Sequence, residues 1–135
     1  MLFAIHSGQV EEYAGGQQEV IHLQAEAEQV AAHGYPFVFA DGHADMVPLS
    51  TFYDDLADLN CIDWGVMTSR YWSDTVQNPD RKRRRQAEFL VHGIVPWSLF
   101  QEVGVANARA EQQVAAILAT AHHRPAVRVH REWYY

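Results

Sequence analysis

The chain has 135 residues, 48% of them hydrophobic and 20% charged, with a formal net charge of −7 at pH 7. That length suits one domain with a real core, and the composition argues against a disordered chain. The acidic balance argues against a general nucleic-acid coat, whose affinity comes from cations that neutralise phosphates, but it leaves room for a local basic groove.

Residues 1–6 are apolar from the start, which predicts a chain that begins inside an element. They also lack the basic lead of a signal peptide. Residues 19–24 alternate around the β-branched Val20 and Ile21 and predict a strand. Residues 25–33 are rich in Ala, Glu and Gln and predict a short helix closed by Gly34. Residues 35–40 predict a second strand with Pro36 near its start or on an edge. Residues 41–63 hold six Asp and no Lys or Arg, and predict a loop, a turn around Pro48 and a short helix. Residues 62–79 predict a long connection ordered by Trp64, Tyr71 and Trp72. Residues 87–91 predict a third strand, and residues 102–105 a short one. Asn107 suits the N-cap of a helix over residues 108–121, with an apolar stripe of Val114, Ile117, Leu118 and Ala121. Residues 126–130 predict a closing strand. Short strands with few helices predict an α+β fold with mainly antiparallel pairing. No apolar run is long enough to span a bilayer. The single Cys61 cannot form an intrachain disulfide, which fits a reducing, cytoplasmic compartment.

Half of the ten Lys and Arg residues lie in one unbroken run, Arg81 to Arg85. Such concentration points to an anion site, with phosphate esters as the usual anions. The alternative is a solvated charge run. Asn78-Pro79-Asp80 is turn chemistry that suits an N-cap, so the cations can open a short helix leading into the third strand. A period of two along that strand puts Ala87, Phe89 and Val91 on a core face and Glu88, Leu90 and His92 on the other. An acid within an apolar strand must be paired or face a cleft, so Glu88 is either a site residue or half of a salt bridge. His43 follows the second strand within Asp41-Gly42-His43-Ala44-Asp45 and is either a site base or a turn residue. Phe37, Phe39 and Phe89 read as core. Tyr71 and Trp72 stand beside Arg70 and either stack on single-stranded bases or pin their loop. His122, His123 and His130 lack the ligand spacing of a zinc site, so no metal is expected.

Several dense segments resemble the DarT family in order along the chain. They are Phe37-Val38-Phe39-Ala40-Asp41-Gly42-His43-Ala44, residues 52–59, Ile62-Asp63-Trp64, Arg70-Tyr71-Trp72, residues 80–91 and Trp133-Tyr134-Tyr135. The Arg-rich lead into Gln86-Ala87-Glu88-Phe89-Leu90 is the most specific part. DarT proteins are bacterial toxins that ADP-ribosylate thymidine in single-stranded DNA with NAD as donor. A macrodomain partner, DarG, reverses the modification. The resemblance implies an ADP-ribosyltransferase fold, with mostly antiparallel sheets flanking an NAD cleft. It implies Glu88 as the catalytic acid, and His43 and Arg84 as NAD-binding residues. It implies Arg70, Tyr71, Trp72, Arg81, Arg83 and Arg85 on the DNA side. Residues 1–6 match family sequence that follows the family's phosphate-holding Arg. The expectation is therefore that residues 1–135 form the C-terminal portion of a single transferase domain lacking its N-terminal part.

The implied chemistry suits these residue types. Cleavage between nicotinamide and ribose develops positive charge, which a carboxylate stabilises. The same acid can take the acceptor proton from thymine. Cations hold the pyrophosphate in a fixed orientation. The competing expectation is a binding module, a relative that grips single-stranded DNA or a macrodomain antitoxin without turnover.

Overall fold

The structure, a computed structural model, describes residues 2–11, 15–45 and 48–135. Residue 1, expected to open an element, and positions 46–47 of the expected loop lie outside the described residues. The sequence predicts part of one domain. Its internal contacts group into two compact units, one of residues 1–26 with 96–135 and the other of residues 27–95.

The first unit holds helix α1 (Leu2–His6), strands β1 (His22–Gln24), β5 (Glu102–Val105) and β6 (Ala126–Val129), and helix α5 (Ala108–Leu118). Its sheet runs β1-β5-β6. The β1 strand pairs antiparallel with β5, whereas β6 pairs parallel with it. The expected mainly antiparallel pairing holds for three of the four described strand pairs, and this pair is the parallel exception. The cause is α5, a helical crossover long enough to return the chain in the same direction. The expected strand at 19–24 is shorter than predicted. A 3₁₀ turn, Gly16–Glu19, draws the Val20 N–H onto the Gln17 carbonyl, so pairing starts only at His22.

Asn107 caps α5 as expected, its Oδ1 accepting the Ala110 N–H at 3.0 Å. The helix packs against β5 and β6. The expected stripe needs one correction: Ile117 is exposed, while Glu111 is half-buried with Val114 and Leu118. The buried arc is centred nearer Val114 and Leu118, and Ile117 falls off its edge. Val103 and Val105 of β5 are fully buried with Leu99 and Ile5 nearby in rank of burial. Gly104 between them lies under the Trp133 ring, where an added Cβ would come within 2.2 Å of a ring carbon. The Trp133 ring stacks on His130 at 3.9 Å between centroids. His130 in turn bonds Glu102 at 2.6 Å and Glu132 at 2.8 Å.

The second unit holds α2 (Ala27–Ala32), β2 (Phe37–Ala40), β3 (Phe52–Tyr53), α3 (Trp64–Met67), α4 (Arg81–Arg84) and β4 (Glu88–Val91). Gly34 ends α2 with φ +74, a left-handed position that suits glycine. The sheet runs β3-β2-β4, antiparallel throughout. Its two-residue strand β3 lay inside the expected loop, because two residues are too few to show a period. The rest of that acidic segment forms a 3₁₀ helix, Leu56–Cys61, capped by Asp55. The long connection at 62–79 contains α3, capped by Asp63, and an isolated bridge between Thr75 and Asn78.

One face of this sheet carries the stacked rings of Phe37, Phe39, Phe89 and Tyr53. Phe39 is 1% exposed. Each such ring pair adds about 0.5–1.5 kcal/mol beyond burial. Val38 and Leu90 face each other across the other side and are 37% and 40% exposed. Glu88 shares that side, opposite Ala40.

Two outcomes follow for the first unit. Gly104→Ala should lower stability by about 1–3 kcal/mol through overpacking against Trp133, seen as a lower urea midpoint with an unchanged slope. Hydrogen bonds donated to Glu132 and Glu102 raise the His130 pKa above its ordinary value. That contribution is fully present below the unfolded-state pKa and is lost as pH rises through the raised folded value. Burial, and then the charge of His130, lower the His22 pKa. Its contribution is present above the unfolded pKa and is lost as pH falls through the lowered value. NMR titration should place His130 above and His22 below a free imidazole, and Glu132→Gln should bring the His130 midpoint down.

Candidate active site

The basic run forms helix α4, and Asp80 is its N-cap residue. Four cations at the start of a helix oppose its dipole, so carboxylates must gather around them. Asp80 and the acidic segment at 41–63 supply these. Arg83 donates from Nε at 3.0 Å and from Nη2 at 2.9 Å to Asp80, and from Nη1 at 3.0 Å to Asp41. Arg84 pairs with Asp63 and Asn78 and sits 3.7 Å from Asp80. The Arg83 guanidinium holds Asp80 below the usual carboxylate range, and Asp80 and Asp41 raise Arg83 in return.

Arg85 donates to the Val66 carbonyl at 2.8 Å and lies 4.7 Å from the Trp72 ring centroid. One face of Trp72 is therefore taken by a cation, and the ring is 42% exposed. Tyr71, at 76%, is the open aromatic of this loop. Arg70 beside it is exposed. Arg81 is half-buried, with Nε enclosed and without a hydrogen-bond partner. Lys82 is exposed, and its backbone N–H is held by Asp74 at 2.8 Å.

Glu88 starts β4 directly after this helix. Its carboxylate accepts a long hydrogen bond, 3.4 Å, from the Ala44 N–H. Ala44 follows His43 in the loop that leaves β2. Within that loop His43 Nδ1 accepts from the Asp45 N–H at 3.1 Å, and the His43 carbonyl accepts from Ser50 Oγ at 3.0 Å. A cavity of about 410 Å³ opens here, lined by His43, Asp45, Asp74, Asp80, Lys82, Arg83 and Gln86. Glu88 is not among its lining residues. The donors of His43, Lys82 and Gln86 share this lining with the carboxylates of Asp45, Asp74 and Asp80, so the cavity can meet both acceptors and donors of a polar ligand.

The structure thus brings His43, Arg83 and Glu88 to one loop cluster, with Arg84 anchored alongside. Tyr71, Trp72 and Arg85 form a second cluster joined to the same helix. Sequence reasoning missed the roles of Asp41, Asp63 and Asp80 as counter-charges. The signal for them was present, because an acidic segment without Lys or Arg precedes a run of five cations. Among the described residues no group of three or more His, Cys, Asp or Glu could hold a metal ion. Among the described residues no helix is long and apolar enough to cross a membrane.

Comparison with known proteins assigns the class. The fold is ADP-ribosyltransferase-like: it matches the Thermus sp. 2.9 DarT solved with NAD+ at a TM-score of 0.90 and 37% identity, over 99% of this chain and 66% of that one. The same protein solved with ADP-ribosylated single-stranded DNA matches at 0.90, over 99% of this chain and 63% of that one. The chain belongs to the DarT family, described as ssDNA thymidine ADP-ribosyltransferase, which it matches over residues 1–135. A DNA ADP-ribosyl transferase of Thermus aquaticus is 40% identical over all of this chain and 58% of its own length. That of Escherichia coli O127:H6 is 30% identical over all of this chain and 62% of its own length. The chain therefore spans roughly three-fifths of the curated relatives it matches.

Proposed function

We propose that the protein transfers ADP-ribose from NAD to thymidine in single-stranded DNA, with Glu88 as the catalytic acid. The observation that carries this reading is the placement of Glu88. It is a half-buried carboxylate at the start of β4, touched by the Ala44 N–H and, among the described ion pairs, paired with no Arg. Arg83 and Arg84, five and four residues upstream, are engaged by Asp41, Asp63 and Asp80 instead, so the salt-bridge alternative for Glu88 has no support among the described ion pairs. Membership of the family, and the relative solved with NAD+ and with ADP-ribosylated DNA, support the same chemistry.

In this reading NAD is the donor substrate and supplies the ribose centre from which nicotinamide leaves. The Glu88 carboxylate stabilises the positive charge that develops there and accepts the proton from the thymine nitrogen. His43 and Lys82 hold the anionic part of the nucleotide, and Arg84 shapes that wall from behind. On the DNA side Tyr71 stacks on a base, Arg70 and Arg81 meet phosphates, and Arg85 holds Trp72 in place. A toxin role with a macrodomain antitoxin completes the proposal, and it rests on the family resemblance.

Glu88→Gln should keep the fold and lower transfer to a thymine-containing oligonucleotide by on the order of 100-fold or more. Activity within a few-fold of wild type would remove Glu88 from the catalytic role. The second expectation concerns charge. Arg81 and Lys82 have no carboxylate partner among the described ion pairs, whereas Arg83 and Arg84 do. The double replacement Arg81→Gln with Lys82→Gln should flatten the plot of log affinity for single-stranded DNA against log salt by roughly 1.4 units, at about 0.7 per contact. An unchanged slope would remove both from the phosphate contacts.

A further inference from the structure

Arg83 stands in the basic run, yet each of its three nitrogens already donates within the protein. Nε and Nη2 form a fork on Asp80, and Nη1 reaches both Asp41 Oδ1 at 3.0 Å and the Asp41 carbonyl at 3.4 Å. A phosphate would have to compete with two carboxylates for it. Asp41 is the first residue beyond β2, whose last residue, Ala40, is the register partner of Glu88. Asp41 Oδ1 also accepts the Thr51 N–H at 2.9 Å, so one carboxylate ties Arg83 to both ends of the 41–51 loop. Gly42 lies against the same guanidinium. A Cβ there would come within 2.6 Å of Arg83 Nη1 and 2.9 Å of Ser50 Oγ. The loop backbone therefore passes as close to Arg83 as a residue without a side chain permits. Two residues on, the Ala44 N–H meets the Glu88 carboxylate.

We infer that Arg83 is a positioning residue: clamped between Asp80 and Asp41, it fixes residues 41–44 so that the Ala44 N–H faces Glu88. The catalytic part of this inference rests on the reading of Glu88 given above. Arginine is required because a planar fork can hold two carboxylates in fixed directions, whereas a lysine is a point charge that holds one loosely. The clamp also explains why the contact to Glu88 comes from a backbone amide in a loop and still has a defined direction.

The test reads the Ala44 amide resonance by NMR in the full chain. Glu88→Gln exchanges a charged acceptor for a neutral one and should shift that resonance in the wild-type background. In the Arg83→Lys background the same exchange should shift it by roughly half as much or less, as in a double-mutant cycle between coupled groups. Asp41→Asn is the milder variant, since it keeps an oxygen for the Thr51 N–H, and it should show the same loss. A response of undiminished size in either folded variant overturns the inference. In transfer assays Arg83→Lys should lower kcat by about tenfold to 100-fold, with affinity for single-stranded DNA and its salt slope unchanged. Full kcat with weaker binding and a flatter slope would make Arg83 a phosphate ligand and also overturn it. Failure of the Glu88 reading looks different: Glu88→Gln alone would transfer at the wild-type rate, while the amide response would still decide the clamp.

Discussion

The second unit depends on one exchange of charge. Five adjacent cations cannot open a helix unless carboxylates meet them, because their mutual repulsion adds to an opposing helix dipole. Asp41, Asp63 and Asp80 meet that need, and each comes from a different structural role. Asp41 directly follows β2, Asp63 caps α3 and Asp80 is the N-cap residue of α4. The ion pairs therefore join a strand end, a short helix and the helix that leads into β4. Both Arg83 and Arg84 are largely enclosed, so their charges are worth more to each partner than surface pairs would be.

That exchange divides the labour within a run that looks uniform in sequence. Arg83 and Arg84 face inward and hold loops, while Arg85 covers Trp72 and anchors to α3. Arg81 and Lys82 keep their charge for other partners. An acidic protein can in this way present a small, directed cationic surface without a broad positive field, which suits local contact with a nucleic acid more than long-range capture. Glu88 gains from the same arrangement. Arg83 and Arg84 are already paired, and among the described ion pairs the Glu88 carboxylate has no cation; it meets a backbone N–H instead.

Several features were legible in residue order because they rest on local chemistry. The strand at β4 has a period of two that separates Phe89 from Glu88, and the ring stack with Phe37 and Phe39 bears it out. The caps at Asn107 and Gly34 are short-range effects of side-chain oxygen and of positive φ. The family resemblance was legible for the same reason, since it rests on runs of consecutive residues, and the match over residues 1–135 agrees with it. Less legible were elements that exist only through a partner. Strand β3 has two residues and no pattern of its own, and β6 runs parallel to β5 only because α5 returns the chain.

By itself the sequence determined the α+β class, the core face of β4, the caps and the concentration of cations ahead of Glu88. Each follows from spacing along the chain. Tertiary structure alone decided which cations are spent and which are open, because pairing between residues 41, 63, 80, 83 and 84 is a matter of distance across loops. It also decided that Arg85 takes one face of Trp72 while Tyr71 stays open. Charge and ring count are properties of the residue list, but the partner of each group is set by where the backbone brings it.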